Sequence, residues 1–174
     1  MFNTKQQLFD YMKQTNPELY KQYINAPAAA RFHSAFKGGL LRHSTNVYNR
    51  LLEWKMKHPT DSTLTEEDIV IVAFLHDLCK AVTYKRNMDG SYKADKDLYQ
   101  HHATLSLQLI DKSLNISLTP LQSTMIKLHM SGWENDEDLE LTRQERKWLN
   151  DPKHIRVLQA MCWADMMASN VDEK

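Results

Sequence analysis

Cysteine is scarce in this 174-residue chain: Cys79 and Cys162 are its two, too few and too far apart to read as a disulfide framework. Glycine and proline are scarce too, at four and five. That excludes a loop-rich or disordered chain and favours helices. Net charge is missing, since Lys+Arg and Asp+Glu both number 22. The overall balance therefore gives neither a duplex-DNA footprint nor attraction to a membrane surface. No apolar run nears the roughly 18 residues of a spanning helix; the longest, Ile69–Leu75, has seven. Met1–Tyr11 lacks the charged-then-apolar pattern of a signal peptide. We expect a soluble, cytoplasmic chain forming a single domain over 1–174, long enough to bury a core without staples.

What is present reads as helix. Packing helices are predicted within residues 1–25: one over roughly Thr4–Gln14 carrying Leu8, Tyr11 and Met12, then a short one opened by Asn16-Pro17. Pro27 and the Gly38-Gly39 pair mark a connection that passes close to other backbone. From Leu40 to about His58, Leu40, Val47, Leu51 and Trp54 share one face, with His43 a turn beyond Leu40. Thr63-x-x-Glu66 has capping-box spacing, and Ile69, Val72, Ala73 and His76 form a core-facing stripe behind it. Near 82–95 the periodicity stops, and Asp89-Gly90 predicts a small β-hairpin. Helical spacing returns at His102, Leu105 and Leu109, and again after the capping box Thr119-x-x-Gln122, which leads to His129. Glu134–Glu140 reads as a solvated acidic loop, and Thr142–Leu149 as a short helix. Asp151-Pro152 opens a last helix to about Val171, with Asp165 on its inward face.

The eight histidines carry the chemical question. His43, His76, Asp77 and Asp165 lie in otherwise apolar helical stretches, where an unpaired imidazole or carboxylate is costly to bury. A shared cation removes that cost. The donor types suit a hard-to-borderline divalent ion such as Mn, Fe, Ni, Co, Zn or Mg. The alternative for any one histidine is a core or helix-end residue satisfied by a hydrogen bond, and periodicity alone does not bring these helices together. His58 and His154 read as ordinary helix-end histidines.

Three segments, Gly38-Gly-Leu-Leu-Arg-His43-Ser, Ala73-Phe-Leu-His76-Asp77-Leu-Cys-Lys80 and Ala164-Asp165-Met, resemble in order and spacing the successive motifs of the HD-domain phosphohydrolase superfamily. The likeness covers a motif-bearing core over 26–169. It implies an all-α helical bundle in which His43, His76, Asp77 and Asp165 ligate one metal, Asp77 bridges to a second, and His102 and His129 complete that second site. His101 is the competing ligand, but adjacent helical residues point about 100° apart, and His102 shares a face with Leu105 and Leu109. Lys80 matches His-Asp-x-x-Lys and could reach a substrate phosphate; its other reading is a helix C-terminal cation. Ala26-Pro-Ala-Ala-Ala-Arg-Phe-His33 with Gly38-Gly39 is similar to a segment of bacterial HD-type oligonucleotide exonucleases, which makes His33 and Arg42 candidate substrate-binding residues. Cys79 has no base of its own and reads as a buried small hydrophobe.

The expected function is metal-dependent phosphohydrolysis with one or two divalent ions as cofactor, through a metal-activated hydroxide. Asp77 and Lys80 are the expected catalytic residues. The expected substrates are a nucleotide, a cyclic nucleotide or a short oligonucleotide, cleaved as by a phosphodiesterase or nucleotidase. A nucleotide triphosphohydrolase and a catalytically silent nucleotide-binding or sensor module are the alternatives, because the metal motifs do not encode which phosphate is cleaved.

Overall fold

The computed structural model describes residues 2–31, 34–95, 98, 102–130 and 141–173. Its helices are α1 (Lys5–Thr15), α2 (Pro17–Asn25), α3 (Gly39–Lys57), α4 (Glu66–Leu75), the short α5 (Lys80–Thr83), α6 (His102–Leu114), α7 (Pro120–Leu128), α8 (Arg143–Leu149) and α9 (Pro152–Met167). One π-helical turn, Ala168–Asp172, continues α9. The architecture is all-α, as expected. Among the described residues, no helix is long and apolar enough to cross a membrane. The predicted acidic loop Glu134–Glu140, His33 and His101 lie outside the described residues.

Helix starts are set by short polar side chains that satisfy orphan amides. Complete capping boxes join Thr4 to Gln7, Thr65 to Asp68, Thr119 to Gln122 and Thr142 to Glu145. The box before α4 is thus two residues later than the predicted Thr63–Glu66. Burial decides between them. Leu64 is fully buried, so the chain enters α4 extended, with Thr63 N–H held by Asp61 Oδ1 at 2.9 Å. Asp68 also accepts from Gln122 Nε2 at 2.9 Å, which ties the first turns of α4 and α7 together.

α4 forms the centre of the bundle. Every residue from Asp68 to Leu75 is buried, with α1, α3 and α7 packed around it. The one-sided stripe read from the sequence is in fact a helix covered on all faces, which is why its apolar run is unbroken. α9 lies over α3, α7 and α8. Phe9 joins α1 to α2 and α4 through edge contacts with Tyr20, Tyr23 and Phe74, at centroid distances of 5.8, 6.0 and 5.3 Å. Such pairs add about 0.5–1.5 kcal/mol each to area burial.

The close backbone approach predicted at Gly38-Gly39 is present. Gly38 has φ +85°, and a Cβ on Gly39 would overlap the Ser34 carbonyl oxygen. Ala28 N–H donates to that oxygen at 3.0 Å, and Leu40 N–H donates to Ala26 O at 3.0 Å. Ala26, Ala28 and Ser34 therefore brace the first turn of α3, immediately before His43. The β-hairpin is smaller than the predicted 82–95: β1 (Tyr84–Arg86) pairs antiparallel with β2 (Tyr92–Ala94), and Val82 and Thr83 belong to α5.

Candidate metal centre

Four elements deliver a cluster of imidazoles and carboxylates to one buried point. His43 comes from α3. His76 is the C-cap of α4, Asp77 follows it in the turn to α5, and His129 is the C-cap of α7. Asp165 comes from α9. His43 and His76 are fully buried, and Asp77 and His129 are each 3% exposed. His43 Nε2 lies 2.9 Å from Asp165 Oδ1 and 3.3 Å from His76 Nε2. His76 Nε2 is 3.2 Å from Asp77 Oδ2, and His129 Nε2 is 3.7 Å from Asp77 Oδ1.

The outward nitrogens explain why the inner ones converge. His76 Nδ1 faces Val72 O at 3.2 Å and Ala73 O at 3.1 Å, and His129 Nδ1 faces Ile126 O at 2.6 Å. A carbonyl only accepts, so these Nδ1 atoms carry a proton and each ring turns its Nε2 inward. A helix-end hydrogen bond therefore accounts for Nδ1 of both histidines but leaves Nε2 aimed at other acceptors. His43 Nδ1 donates to Glu173 Oε1 at 2.9 Å.

Burial works against charge throughout the cluster. At His43 it is outweighed by Asp165 and Glu173 on the two ring nitrogens, which lift the imidazole to about 9. At Asp77 it is outweighed by Lys80 and His76, which hold the carboxyl well below the usual range, and at Asp165 by the His43 hydrogen bond. Burial wins at His76, which is lowered, and at His102, pushed down to about 4 with the help of neighbouring His129. His129 is raised despite burial because Asp77 stands beside it.

Among the described residues, two sets of donor atoms have cation-binding proximity, His43/His76/Asp165 and His76/Asp77/His129. The residues fit a divalent ion on three counts. Imidazole and carboxylate donors suit the hard-to-borderline metals. Each imidazole has an acceptor on its far nitrogen, the usual support of a metal-ligating histidine. Asp77 Oδ1 is buried with no hydrogen-bond partner among the described residues, an expense that a cation would remove.

The other candidates fall around this cluster. His102 opens α6, is 3% exposed and packs edge-on to His129 at 5.3 Å between centroids, but belongs to neither donor set. Lys80 Nζ sits 2.7 Å from Asp77 Oδ2. It is not a helix C-terminal cation of α4, which ends at Leu75; it begins α5. Arg42 is exposed, lies over the Phe36 ring and donates to Asp172 O at 3.2 Å. Cys79 is buried, and burial pushes its thiol up to about 12, which removes it as a thiolate nucleophile. Glu173 is the participant the sequence did not reveal. A lone glutamate in a polar stretch carries no local signal.

A family model for the HD domain matches residues 40–168, well over half of the chain. The chain belongs to the HD-domain family. That places it among the metal-dependent phosphohydrolases, and the match takes in His43, His76, Asp77, His102, His129 and Asp165. No curated protein and no solved structure matches the chain. In this HD domain, the adjacent His76 and Asp77 sit where α4 ends, so the turn that stops the helix also brings the aspartate Oδ2 to 3.2 Å from the histidine Nε2.

Proposed function

We propose that this HD domain hydrolyses a phosphate ester of a nucleotide, cyclic nucleotide or short oligonucleotide with the help of one or two divalent ions. The observation that supports this most is the inward convergence of Nε2 from three helices on two carboxylates, one with an orphaned oxygen. A divalent cation bound there supplies Lewis-acid stabilisation of phosphoryl charge and an acidified water.

The chain's own residues divide the remaining work. His43, His76, Asp77 and Asp165 would hold the first ion. Asp77 turns Oδ2 toward His43 and His76, at 3.6 and 3.2 Å, and Oδ1 toward His129 at 3.7 Å. With its two oxygens divided in this way, Asp77 would contribute to both donor sets if a second ion bound, and His129 and His102 are the residues that would help to hold that ion. Lys80 neutralises Asp77 Oδ2, and a lysine is mobile enough to turn to a nonbridging phosphate oxygen when a cation takes over that task. It also offers a proton to the leaving oxygen. Arg42, in the first turn of α3, and His33 are proposed substrate contacts.

The test is a hydrolysis panel with Mn, Mg, Ni and Co. Its substrates are a phosphomonoester, a phosphodiester, cyclic nucleotides, nucleoside triphosphates and a pentanucleotide. We expect metal-dependent cleavage of a diester or nucleotide that His76→Ala and Asp77→Ala abolish. Release of triphosphate would favour the triphosphohydrolase reading. Full activity in folded Asp77→Ala protein, or inactivity with every ion and substrate, would overturn the proposal, the second outcome in favour of a binding module.

A further inference from the structure

The last described turn of the chain is fastened to the helix that carries His43. Along α3, Arg42, Asn46 and Arg50 recur every four residues and so form one stripe, with His43 beside it. Arg50 makes a two-pronged contact with the Asp172 carboxylate, Nε to Oδ2 at 2.9 Å and Nη2 to Oδ1 at 2.5 Å. Arg42 Nη2 donates to the Asp172 carbonyl at 3.2 Å, and Asn46 Nδ2 donates to Glu173 Oε1 at 3.4 Å. The Glu173 side chain is 0% exposed and meets His43 Nδ1 at 2.9 Å. Burying a carboxylate is costly unless it is paired and hydrogen-bonded, and here the pairing runs to the outer nitrogen of a cluster histidine.

The path of the chain makes this possible. α9 presents Asp165 to His43 Nε2, and its continuation as a π-helical turn over Ala168–Asp172 leads to Glu173 on His43 Nδ1. Wide π turns re-aim a chain and recur at functional sites. The same continuous segment thus grips one imidazole from both sides. Glu173 lies beyond residue 168, where the family match ends, so family membership does not assign it a role.

We infer that Glu173 is a positioning residue of the metal centre, which fixes the His43 ring with Nε2 facing inward, and that the Arg50–Asp172 pair holds Glu173 in place. Glu173 is not itself a ligand: it contacts the nitrogen that points away from the cluster. A carboxylate on the far nitrogen orients a ligating imidazole and raises its basicity, and its loss typically costs about 10- to 100-fold in metal affinity. The inference rests on the reading of the cluster as a metal site.

Co²⁺ alone is the probe, titrated into chelator-stripped protein and followed by visible absorbance and by competition with a chelator of known affinity. The proteins are wild type, Glu173→Ala, Glu173→Gln, Arg50→Ala, the ligand variant His76→Ala, and Asn49→Ala as an exposed α3 control. Wild type and Asn49→Ala should bind alike. Glu173→Ala should bind about 10- to 100-fold more weakly with an altered Co²⁺ spectrum. Glu173→Gln, whose amide oxygen still accepts from Nδ1–H, should recover part of the loss, and Arg50→Ala should show a smaller one. If wild type binds Co²⁺ and the Glu173 variants match it in affinity and spectrum, the positioning role is overturned while the metal site stands. If folded wild type fails to bind Co²⁺, Mn²⁺ or Ni²⁺, the metal reading fails and the inference with it. Should Glu173→Ala not fold, Glu173→Gln and Arg50→Ala decide by the same comparison.

Discussion

His58 and His76 are the C-cap residues of α3 and α4, and locally they are built alike. His58 Nδ1 bonds Trp54 O of its own helix at 2.8 Å, as His76 Nδ1 bonds Val72 O and Ala73 O. They part company at the other nitrogen. His58 is exposed and stacks on Trp54 at 4.4 Å between centroids, whereas His76 is fully buried with Nε2 facing His43, Asp77 and Asp165. Helix chemistry fixes the tautomer of both rings. Only the packing of other helices brings one of them against donors that together could hold a cation.

Removing the ring that differs should have the largest effect. His76→Ala deletes a donor from both donor sets and leaves Asp77 and Asp165 with less compensation. Metal-dependent hydrolysis should fall at least about 100-fold, beyond the usual cost of losing a supporting residue. Steady-state kinetics with a phosphodiester and a Co²⁺ titration check it; near-normal values for both would mean that His76 is only a packed helix-end histidine.

Next in size is the delivery of His43. Gly39→Ala sets a methyl group against the Ser34 carbonyl, with Ala28 N only 3.1 Å away, and backbone gives little. We expect a loss of more than about 2 kcal/mol in urea unfolding, the range of backbone strain and overpacking, together with weaker metal binding because α3 shifts at its start. An Ala variant as stable as wild type would show that the Ala28 and Ser34 backbone gives way at this contact.

How much of this could be read from the chain divides along the same line as His58 and His76. Local rules found the Thr119–Gln122 box, the hairpin turn at Gly90 and the Gly39 contact, because each is decided within a few residues. They misplaced the α4 cap, since Thr63/Glu66 and Thr65/Asp68 have the same spacing and only the burial of Leu64 and the distant Gln122 separate them. The family motifs named His43, His76, Asp77 and Asp165, and the fold brings these four side chains together. Neither source reached Glu173, which is 130 residues from His43 in the chain and sits in no motif. Nor does sequence carry the division of Asp77 oxygens between the two sides, a matter of side-chain rotation.

Metal should stabilise the cluster and leave the His58 end of α3 indifferent. At 100 times its dissociation constant, an ion that binds only the folded chain adds about 2.7 kcal/mol, or about 5–10 °C in Tm for a domain of this size. Differential scanning fluorimetry with Mn²⁺ or Co²⁺ against EDTA should show that shift in wild type and His58→Ala, but not in His76→Ala. Equal shifts in all three would move the binding site elsewhere.

pH separates the parts of the cluster in the chelated protein. His43 is raised to about 9, so its contribution is fully present below the ordinary histidine value near 6.5 and is lost as pH rises through about 9. His102 is pushed down to about 4, so its contribution is present above about 6.5 and is lost as pH falls toward 4. Urea unfolding in EDTA at pH 5, 7 and 9.5 should therefore give the greatest stability at the middle value, and His43→Gln should flatten the alkaline limb. An alkaline limb unchanged in that variant would remove His43 as its source.

The smallest effect expected is the one that isolates the comparison. His58→Ala removes a ring with the same Nδ1 bond to its own helix as His76, and with an aromatic stack as well. Its site is exposed, so water replaces the lost hydrogen bond and little is left unsatisfied. Stability should change by about 0.5 kcal/mol or less, with Co²⁺ affinity and hydrolysis unchanged. The same bond is then nearly worthless at one helix end and indispensable at the other, because its value at His76 lies in what it makes Nε2 face. A loss of Co²⁺ affinity in His58→Ala would break that logic, since among the described residues the ring stacks on Trp54 of its own helix rather than on the cluster.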